Sequence, residues 1–414
     1  MIPLPLTIAL AHLASRTRQT LVSVLGVTLG VGMFIAVSGL MAGFQSTFRS
    51  QLIDTNPHIV VTDEIRQPAA QPLVLLHPGA AVHIRRILPR DPVRGIAGAG
   101  AIVEALSATP GITAAPVLRG ELILRRAGRD YAVAASGIDP ARQARVTTLA
   151  KDIVQGRLDA LGARSDGIII GESLATKMGA SLGDTLIAVP PTGQSAALRI
   201  VALFRTGQEQ VDTATAYVSL ARQQSMQGRP RVVNQIQLRL ADIAQSIPLA
   251  ATIEGRWGYK AAPWEETFAR ILEVFVLQNV IIYGSTGSIL VVAAFGIFNI
   301  ISTVVMEKSR DIAIMRAIGM PGAAVVAIFV VEGVLVGVLG VLAGCGMGMG
   351  IALVLGQIPA PGASDPSQKL MVAQTWLNYG LACGIALASA VIAAWLPARR
   401  AVRNNPLDTI RGAA

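Results

Sequence analysis

Four long apolar stretches constrain this chain more than any other feature of its sequence. They cover residues 21–48, 274–306, 323–356 and 371–396, and Glu332 is the one Asp, Glu, Lys or Arg within them. A helix needs about 20 apolar residues to cross a bilayer, and each stretch is long enough. With 52% hydrophobic and only 14% charged residues, the composition also departs from that of soluble domains. The sequence therefore predicts a membrane protein with four transmembrane helices.

The basic residues outside these stretches predict how the chain is oriented. On one side lie Arg16, Arg18, Lys308, Arg310, Arg316, Arg399, Arg400, Arg403 and Arg411, whereas the short loop 357–370 has only Lys369. Cytoplasmic loops are enriched in Lys and Arg, so both termini and residues 307–322 are predicted to be cytoplasmic. The long domain 49–273 is then extracytoplasmic, because domains of that length are translocated largely regardless of charge. The net charge of +10 is spread over both compartments, so it does not indicate nucleic-acid binding.

The orientation divides the chain into successive segments. These are an amphipathic cytoplasmic helix (1–20), the first transmembrane helix with a stalk (21–48), an extracytoplasmic domain (49–273), a second stalk and transmembrane helix (274–306), a short cytoplasmic helix (307–322), the third transmembrane helix (323–356), a periplasmic loop (357–370), the fourth transmembrane helix (371–396) and a cytoplasmic tail (397–414). Met41, Phe44 and Phe48 recur at helical spacing, which predicts that the first helix continues beyond the bilayer as the stalk.

The segment 49–273 has the pattern of an α+β domain. Its clearest signal is DGIIIGESLATKMGASLGDTLIAV at 166–189, which predicts a buried strand, a short helix ended by Gly179, and a further strand. Runs at 58–62, 114–125, 131–137, 198–204, 216–219 and 234–240 predict additional strands, with a hairpin between the second and third. Residues 67–100 are irregular and predict an exposed loop, with 83–88 as a candidate strand. Short helices between paired strands favour one large α+β domain inserted between helices 1 and 2.

No catalytic or metal site is predicted. The domain shows no nucleophile motif, and His12, His58, His77 and His83 are scattered without ligand spacing. Cys345 and Cys383 both fall inside apolar stretches, so they are predicted to pack as small hydrophobic residues rather than to form a disulfide framework.

The segment MEKSRDIAIMRAIGMPG at 306–322 is the most informative short stretch. It holds five charged residues, Glu307, Lys308, Arg310, Asp311 and Arg316, while Ile312, Ile314, Met315 and Ile318 are predicted to supply an apolar side. Charges at bilayer depth are costly, so the segment must lie at the membrane surface or in water. It is either an ordinary cytoplasmic loop that carries positive-inside charge or a coupling helix that docks into another protein.

Small residues and one carboxylate mark the transmembrane stretches. Glycines at small-xxx-small spacing are Gly26, Gly30, Gly333, Gly337, Gly340, Gly344 and Gly348, and they predict close helix contacts, either within the chain or in a dimer. Four helices are too few to enclose a transport pathway by themselves, so a second copy of the chain or a paralogue is expected. Glu332 lies about 13 Å into the third helix by the α-helical rise. It is predicted to be paired, protonated or near the interface, with a role in holding the bundle or in contacting an ion or substrate.

Three segments together resemble the permease subunits of the MacB/FtsX superfamily of ABC transporters. They are the single domain between the first two spans, EKSRDIAIMRAIG between the second and third, and the closing LPARRAVRNNPLDTIRG. GESLATKMGASLGDTL also resembles that family's extracytoplasmic domain. The opening ALAHLASRTRQTLVSVLGVTLGV with NPHIVVTDE is similar to the lipoprotein-releasing permeases of LolC and LolE type. The segment PPTGQSAALRI after Val189 is shorter than the loop with which those permeases hook a periplasmic carrier.

The resemblance implies a mechanical transmission device in the inner membrane. ATP and Mg²⁺ would be bound by a separate cytoplasmic ATPase dimer, and this chain has no GxxxxGK[ST] motif for nucleotide phosphates. By carry-over from the family, the ATPase-coupling residues are Glu307, Lys308, Arg310, Asp311, Arg316 and Gly319, and Pro321 joins Gly319 in setting the turn into the third span. Met41, Phe44 and Phe48 are the candidate cargo-facing residues.

The expected function is that of a non-catalytic permease subunit of an ABC exporter. Its expected cargo is lipoprotein or other lipid-bearing molecules extracted from the inner membrane. Alternatives are efflux of drugs or glycolipids, as in MacB, and transmembrane signalling to an envelope hydrolase, as in FtsX. Expected partners are the ATPase dimer, a second permease copy or paralogue, a periplasmic lipoprotein carrier or adaptor, and membrane lipids, but no nucleic acid.

Overall fold

A computed structural model describes residues 4–15, 17–64, 95–358, 369 and 371–403. The predicted strand at 83–88, most of the predicted loop 67–100 and the end of the cytoplasmic tail lie outside these residues. The chain divides into two compact units, one formed by Met1–Phe48 with Glu273–Ala414 and the other by Arg49–Leu272. We call them the helical unit and the inserted domain.

The described residues form 14 α-helices and ten strands. The helices are α1 (Leu4–Ser15), α2 (Thr17–Thr55), α3 (Ala99–Ser107), α4 (Pro140–Val146), α5 (Ala160–Ala163), α6 (Glu172–Met178), α7 (Glu209–Ala214), α8 (Leu220–Met226), α9 (Ser246–Trp257), α10 (Trp264–Thr267), α11 (Ala269–Glu307), α12 (Ser309–Ala317), α13 (Gly322–Leu355) and α14 (Trp376–Arg403). The strands are β1 (Ile59–Thr62), β2 (Ile112–Arg126), β3 (Arg129–Ile138), β4 (Ile153–Gly156), β5 (Gly167–Gly171), β6 (Thr185–Val189), β7 (Ala196–Phe204), β8 (Thr215–Ser219), β9 (Gln235–Leu240) and β10 (Ala261–Pro263).

Within the described residues, four helices are long and apolar enough to cross a membrane, as the sequence predicted. They are α2, α11, α13 and α14. The fourth begins at Trp376 rather than at residue 371, because the preceding residues run without helical structure past α2. There the Ala373 N–H donates a hydrogen bond of 3.0 Å to the Gly39 oxygen. A Cβ on Gly43 would lie 1.7 Å from the Met371 oxygen, so this passage requires glycine.

The glycines of α13 pack this helix against two others within the same chain. A Cβ on Gly340 or Gly344 would lie 2.6 or 2.7 Å from the Cβ of Val27 or Val31 in α2. On another side, a Cβ on Gly333 would lie 2.5 Å from that of Ala394 in α14. Small residues let helix backbones approach closely, and this approach supplies the van der Waals contact that holds helices together in lipid. Of the two alternatives left open by the sequence, intrachain packing therefore accounts for these α13 glycines.

In its described part, the inserted domain is built on one mixed sheet of ten strands. The order along the sheet is β10-β1-β9-β2-β3-β8-β5-β7-β4, with β6 pairing with β2 and β7. Most neighbours are antiparallel, whereas β3 pairs with β8 and β5 pairs with β7 in parallel. The helices between the strands cover the sheet, and the fold is α+β, as predicted.

Local sequence signals explain how the strands of this domain begin and end. The predicted hairpin is present as β2 and β3, joined by Ala127 and Gly128, which both have positive φ angles of 51° and 76°. Such a two-residue turn matches the twist of the two strands. The motif at 166–189 forms β5, α6 and β6, and Ile168, Ile169 and Ile170 are all fully buried. The sequence of a strand that is buried on both faces is a continuous run of apolar residues.

Candidate functional site

Helix α12 lies in the charged segment between the second and third membrane helices. It follows α11 almost without a break, since the Lys308 N–H donates to the Val304 oxygen at 2.9 Å. It ends at Ala317, and the chain turns at Gly319, whose φ of +100° is a conformation that residues other than glycine rarely adopt. Pro321 then occupies the N-cap position of α13. The charges of this segment therefore lie on a short helix rather than in an irregular loop.

One face of this segment is exposed. We call it the α12 face, and it consists of Glu307, Arg310, Asp311, Ile314 and Ile318, which recur at spacings of three and four residues. Ile314 is 48% exposed and Ile318 is 82% exposed. The face thus combines two exposed isoleucines with charged side chains of both signs.

This arrangement corrects the predicted apolar side of the segment. The sequence grouped Ile314 and Ile318 with Ile312 and Met315, but the structure separates the two pairs. Ile312 is only 4% exposed and Met315 packs against the same core, whereas the other two isoleucines lie among the charges. Because a helix turns every 3.6 residues, positions 314 and 318 share a face with 307 and 311 rather than with 312 and 315.

Arg316 lies on the opposite side of α12 from this face. Its Nη1 donates a hydrogen bond of 2.6 Å to the main-chain oxygen of Val402 near the end of α14. Arg316 was grouped with the ATPase contacts by sequence, whereas the structure places its side chain in a partly buried contact within the chain. Lys308 and Asp311 form an ion pair of 2.9 Å on the surface. Exposed pairs of this kind contribute about 0–1 kcal/mol, so the pair orders side chains more than it stabilises the fold.

A small cavity of about 170 Å³ adjoins the inner side of α12. It is lined by Ile8 of α1, by Ile312 and Met315 of α12, by Ile328 and Phe329 of α13, and by the Lys308–Asp311 pair. Helix α1 packs on α13, so the segment before the first membrane helix contributes to the setting of α12. The sequence of α1 has only Thr7, His12 and Ser15 as polar residues, and the helix is more apolar than the amphipathic helix expected there.

A cluster of three aromatic rings lies on α2 and α11. Phe44 and Phe48 stack at 5.8 Å, and Phe275 meets them edge-on at 6.4 and 5.9 Å. Beside the rings, the Gln45 side chain donates to the Asn279 side chain at 3.2 Å. Phe44 remains 45% exposed, while Met41 packs partly buried against the helical core. Of the three predicted cargo-facing residues, the structure therefore brings Phe44 and Phe48 together, while Met41 packs one turn earlier in α2 against the core.

Glu332 lies inside the helical unit with only 5% of its surface exposed. Its neighbour Gly333 is in the close contact between α13 and α14 described above. Phe329 and Val336, on adjacent turns of the same face, are core residues. A carboxylate in such surroundings is costly unless neighbouring groups compensate it, and its role in holding the bundle or in contacting an ion or substrate stays a prediction.

Sequence reasoning missed three residues of these sites: Ile318 as an exposed residue, Phe275 and Val402. The spacing of positions 307, 311, 314 and 318, which are four, three and four residues apart, could have indicated that Ile318 lies on the exposed face. Phe275 and Val402 are far from their partners along the chain, and no local pattern indicates them. Their contacts arise only when separate helices pack.

Comparison with known proteins gives matches along nearly the whole chain. A family model described as "MacB-like periplasmic core domain" matches residues 20–256, and one described as "FtsX-like permease C-terminal" matches residues 284–406. The chain is 26% identical over 440 residues to the lipoprotein-releasing system transmembrane protein LolC of Xylella fastidiosa (strain Temecula1), which covers 99% of both chains. It is 25% identical to LolC of Neisseria meningitidis serogroup B, covering 99% of this chain and 100% of the relative. The macrolide export ATP-binding/permease protein MacB of Hyphomonas neptunium is 26% identical, covering 97% of this chain and 60% of that relative.

Proposed function

The chain belongs to the family of ABC-transporter permeases with a MacB-like periplasmic core domain and an FtsX-like C-terminal region, and from this premise we propose that it is the non-catalytic permease subunit of an exporter. ATP is bound and hydrolysed by a separate cytoplasmic ATPase dimer. The motion of that dimer reaches the permease through α12. A second permease copy or a paralogue completes the membrane part.

The α12 face is the single observation that carries this proposal. Exposed isoleucines on a helix that also bears charges of both signs are typical of a docking surface, where buried apolar anchors are surrounded by polar contacts. Ile318 exposes more of its surface than most apolar side chains of the chain. Glu307, Arg310 and Asp311 lie on the same face and supply charges of both signs, which favour one orientation of the partner.

The cargo we propose is lipoprotein or another lipid-bearing molecule. Two relatives that are similar over 99% of this chain carry the name of a lipoprotein-releasing system. The ring of Phe44 is 45% exposed and stacks on the partly buried ring of Phe48, and together they offer an apolar surface suited to acyl chains, backed by the buried ring of Phe275. A relative that covers 97% of this chain carries the name of a macrolide exporter, which supports drug export as the second candidate.

The proposal requires α12 to face the compartment that contains ATP. Both termini are then cytoplasmic, and the inserted domain is periplasmic. Ser309 lies at the start of α12 and provides a labelling position when replaced by cysteine in a Cys345→Ser, Cys383→Ser background. A membrane-impermeant maleimide should label this cysteine in inside-out vesicles and not in intact spheroplasts. Labelling from outside would overturn the orientation and, with it, the coupling role.

Reconstitution tests the function itself. The permease is placed in proteoliposomes with its ATPase and with a second permease subunit where one is required, together with a triacylated lipoprotein. We expect ATP-dependent release of the lipoprotein, and Arg310→Glu should abolish release while membrane insertion stays normal. ATPase binding without lipoprotein release, but with transport of a macrolide, would favour the second candidate. Unchanged release in Arg310→Glu would contradict the role of the α12 face.

A further inference from the structure

The two cysteines of this chain lie side by side in adjacent membrane helices. Cys345 in α13 and Cys383 in α14 are the two cysteines of the sequence, and their Sγ atoms are 3.8 Å apart. Both side chains are half-buried and pack against the core of the helical unit. They pack among apolar residues, as expected from sequence, but their pairing across two helices was not predicted.

The close packing of α13 on α14 holds this pair in place. Gly333 meets Ala394, and one turn further Gly337 meets Ala390, where a Cβ on the glycine would lie 2.9 Å from the alanine Cβ. The residue number rises along α13 as it falls along α14, so the helices are antiparallel and the same line of contacts leads to Cys345 opposite Cys383. Small residues along this line bring the backbones close together. The sulfurs would need to approach by less than about 2 Å to reach the S–S bond length.

The depth of the two cysteines in their helices limits which oxidants can reach them. Cys345 lies about 15 Å from the end of α13 at Leu355, and Cys383 about 10 Å from the start of α14, by the α-helical rise. Both are therefore within the apolar part of their helices, where lipid-soluble molecules have access and charged aqueous oxidants do not. Both cysteines keep part of their surface exposed, so such molecules can approach the pair from the surface of the bundle.

We propose that Cys345 and Cys383 form a redox-active dithiol that a lipid-soluble quinone oxidises to an intramolecular disulfide. Each thiol gives up its proton, the two sulfurs form one bond, and the two electrons and two protons convert the quinone to the quinol. The disulfide links α13 covalently to α14, and reduction by a dithiol restores both cysteines. This site is independent of which cargo the protein carries.

The experiment measures free thiols in membranes that contain the full-length protein. The membranes are treated with decylubiquinone, a fully substituted quinone that accepts electrons rather than adding to thiols. The protein is then denatured, and its free thiols are alkylated with a polyethylene-glycol maleimide. We expect both cysteines to be alkylated before oxidation, neither after it, and both again after dithiothreitol. Cys345→Ser and Cys383→Ser should each keep their remaining thiol under the same treatment. The oxidised wild type should also unfold at a higher temperature than either variant, because closing a chain segment constrains the unfolded state.

Several results would overturn the proposal. Both thiols could stay reactive after decylubiquinone and also after copper phenanthroline, which would show that the sulfurs do not meet. Closure by copper phenanthroline alone would exclude the quinone as oxidant. A disulfide-linked dimer on a non-reducing gel, or loss of the single thiol in either serine variant, would show intermolecular reaction or adduct formation instead.

Discussion

The guanidinium of Arg316 donates a hydrogen bond of 2.6 Å to the main-chain oxygen of Val402, which ties α12 to the end of α14. The last carbonyl groups of a helix lack partners within it and attract positive charge. A Cβ on Gly322 would lie 2.4 Å from a methyl group of Val402, so the start of α13 meets the same point. The end of α14 therefore contacts both elements that frame the turn after α12.

Arg316→Ala should loosen this contact and weaken coupling without removing the exposed α12 face. Loss of a hydrogen bond made by a charged group costs about 1.5–3 kcal/mol. We expect a lower unfolding temperature in detergent and a several-fold lower ATP-dependent cargo release, while the partner ATPase still binds. Arg310→Ala is the matched control, because Arg310 is exposed on the α12 face and its loss should leave the unfolding temperature unchanged. Equal unfolding temperatures for wild type and Arg316→Ala would contradict the anchoring role.

Ile318→Asp should reduce binding of the partner ATPase at least tenfold. Ile318 is 82% exposed, so the change should leave folding nearly unaffected, since exposed substitutions usually alter stability by less than about 0.5 kcal/mol. Burying the new carboxylate in an apolar contact would oppose docking. Ile187→Asp, at a half-exposed isoleucine of the inserted domain, is the control and should bind normally. Co-purification or light scattering with the ATPase measures the difference, and normal binding by the Ile318 variant would exclude this residue as an anchor.

Phe44→Ala should impair release of a lipid-bearing cargo more than it impairs folding, because Phe44 is 45% exposed. Phe44 contacts both Phe48 and Phe275, and such ring pairs contribute about 0.5–1.5 kcal/mol each. Phe295→Ala changes a phenylalanine of α11 that is 64% exposed, and it serves as the control. Cross-linking of a photoactivatable acyl chain to the protein checks the prediction directly. Equal cross-linking in both variants would show that the aromatic cluster does not contact cargo.

Two glycines of α13 should respond in opposite directions to alanine. A Cβ on Gly344 would lie 2.7 Å from the Cβ of Val31, whereas a Cβ on Gly346 would meet nothing within 4 Å. Gly344→Ala should destabilise the bundle by about 1–3 kcal/mol through overpacking. Gly346→Ala should be neutral or stabilise by up to about 1 kcal/mol, because alanine favours helix. Thermal unfolding in detergent compares the two, and a neutral Gly344 variant would argue against the close contact of α2 and α13.

The inserted domain should lose stability in acid through His58. This residue is buried, and its Nδ1 accepts a hydrogen bond of 3.1 Å from the Leu240 N–H, so the ring is neutral in the fold. Burial first, and then the charge of Arg239, hold the pKa of His58 below its ordinary value. Below a pH of about 6.5 the unfolded chain binds a proton that the folded chain does not, so stability falls as the pH falls.

The effect of His58 is measured by the unfolding temperature of the full-length protein at pH 7.5 and at pH 5.5, in wild type and in His58→Gln. The wild type should lose more stability between these values than the variant. The comparison is needed because burial raises the pKa of Asp152, which acts in the opposite direction. Identical pH dependence in the two proteins would show that His58 does not titrate in the way its surroundings imply.

Local patterns in the sequence were sufficient for the fold class and for most of the strands, but not for β4, β10 or the helix α9. The run of Ile168, Ile169 and Ile170 and the turn glycines around it predicted strand, helix and strand correctly, because these signals depend on neighbouring residues. The start of the fourth membrane helix was predicted too early. Hydropathy depends only on the apolar composition of residues 371–375. It contains no information on the hydrogen bond from the Ala373 N–H to the Gly39 oxygen, which holds these residues outside the helix.

The sequence by itself determined that this chain has four membrane helices, an inserted α+β domain and a charged helix between the second and third spans, since apolar length and residue periodicity are local properties. Only the tertiary structure decided that Ile318 faces outward, that Arg316 faces Val402, and that Cys345 meets Cys383. Those relationships depend on which faces of separate helices come into contact. That choice is made by the packing of glycine and alanine surfaces over the whole helical unit, and no single stretch of sequence contains it.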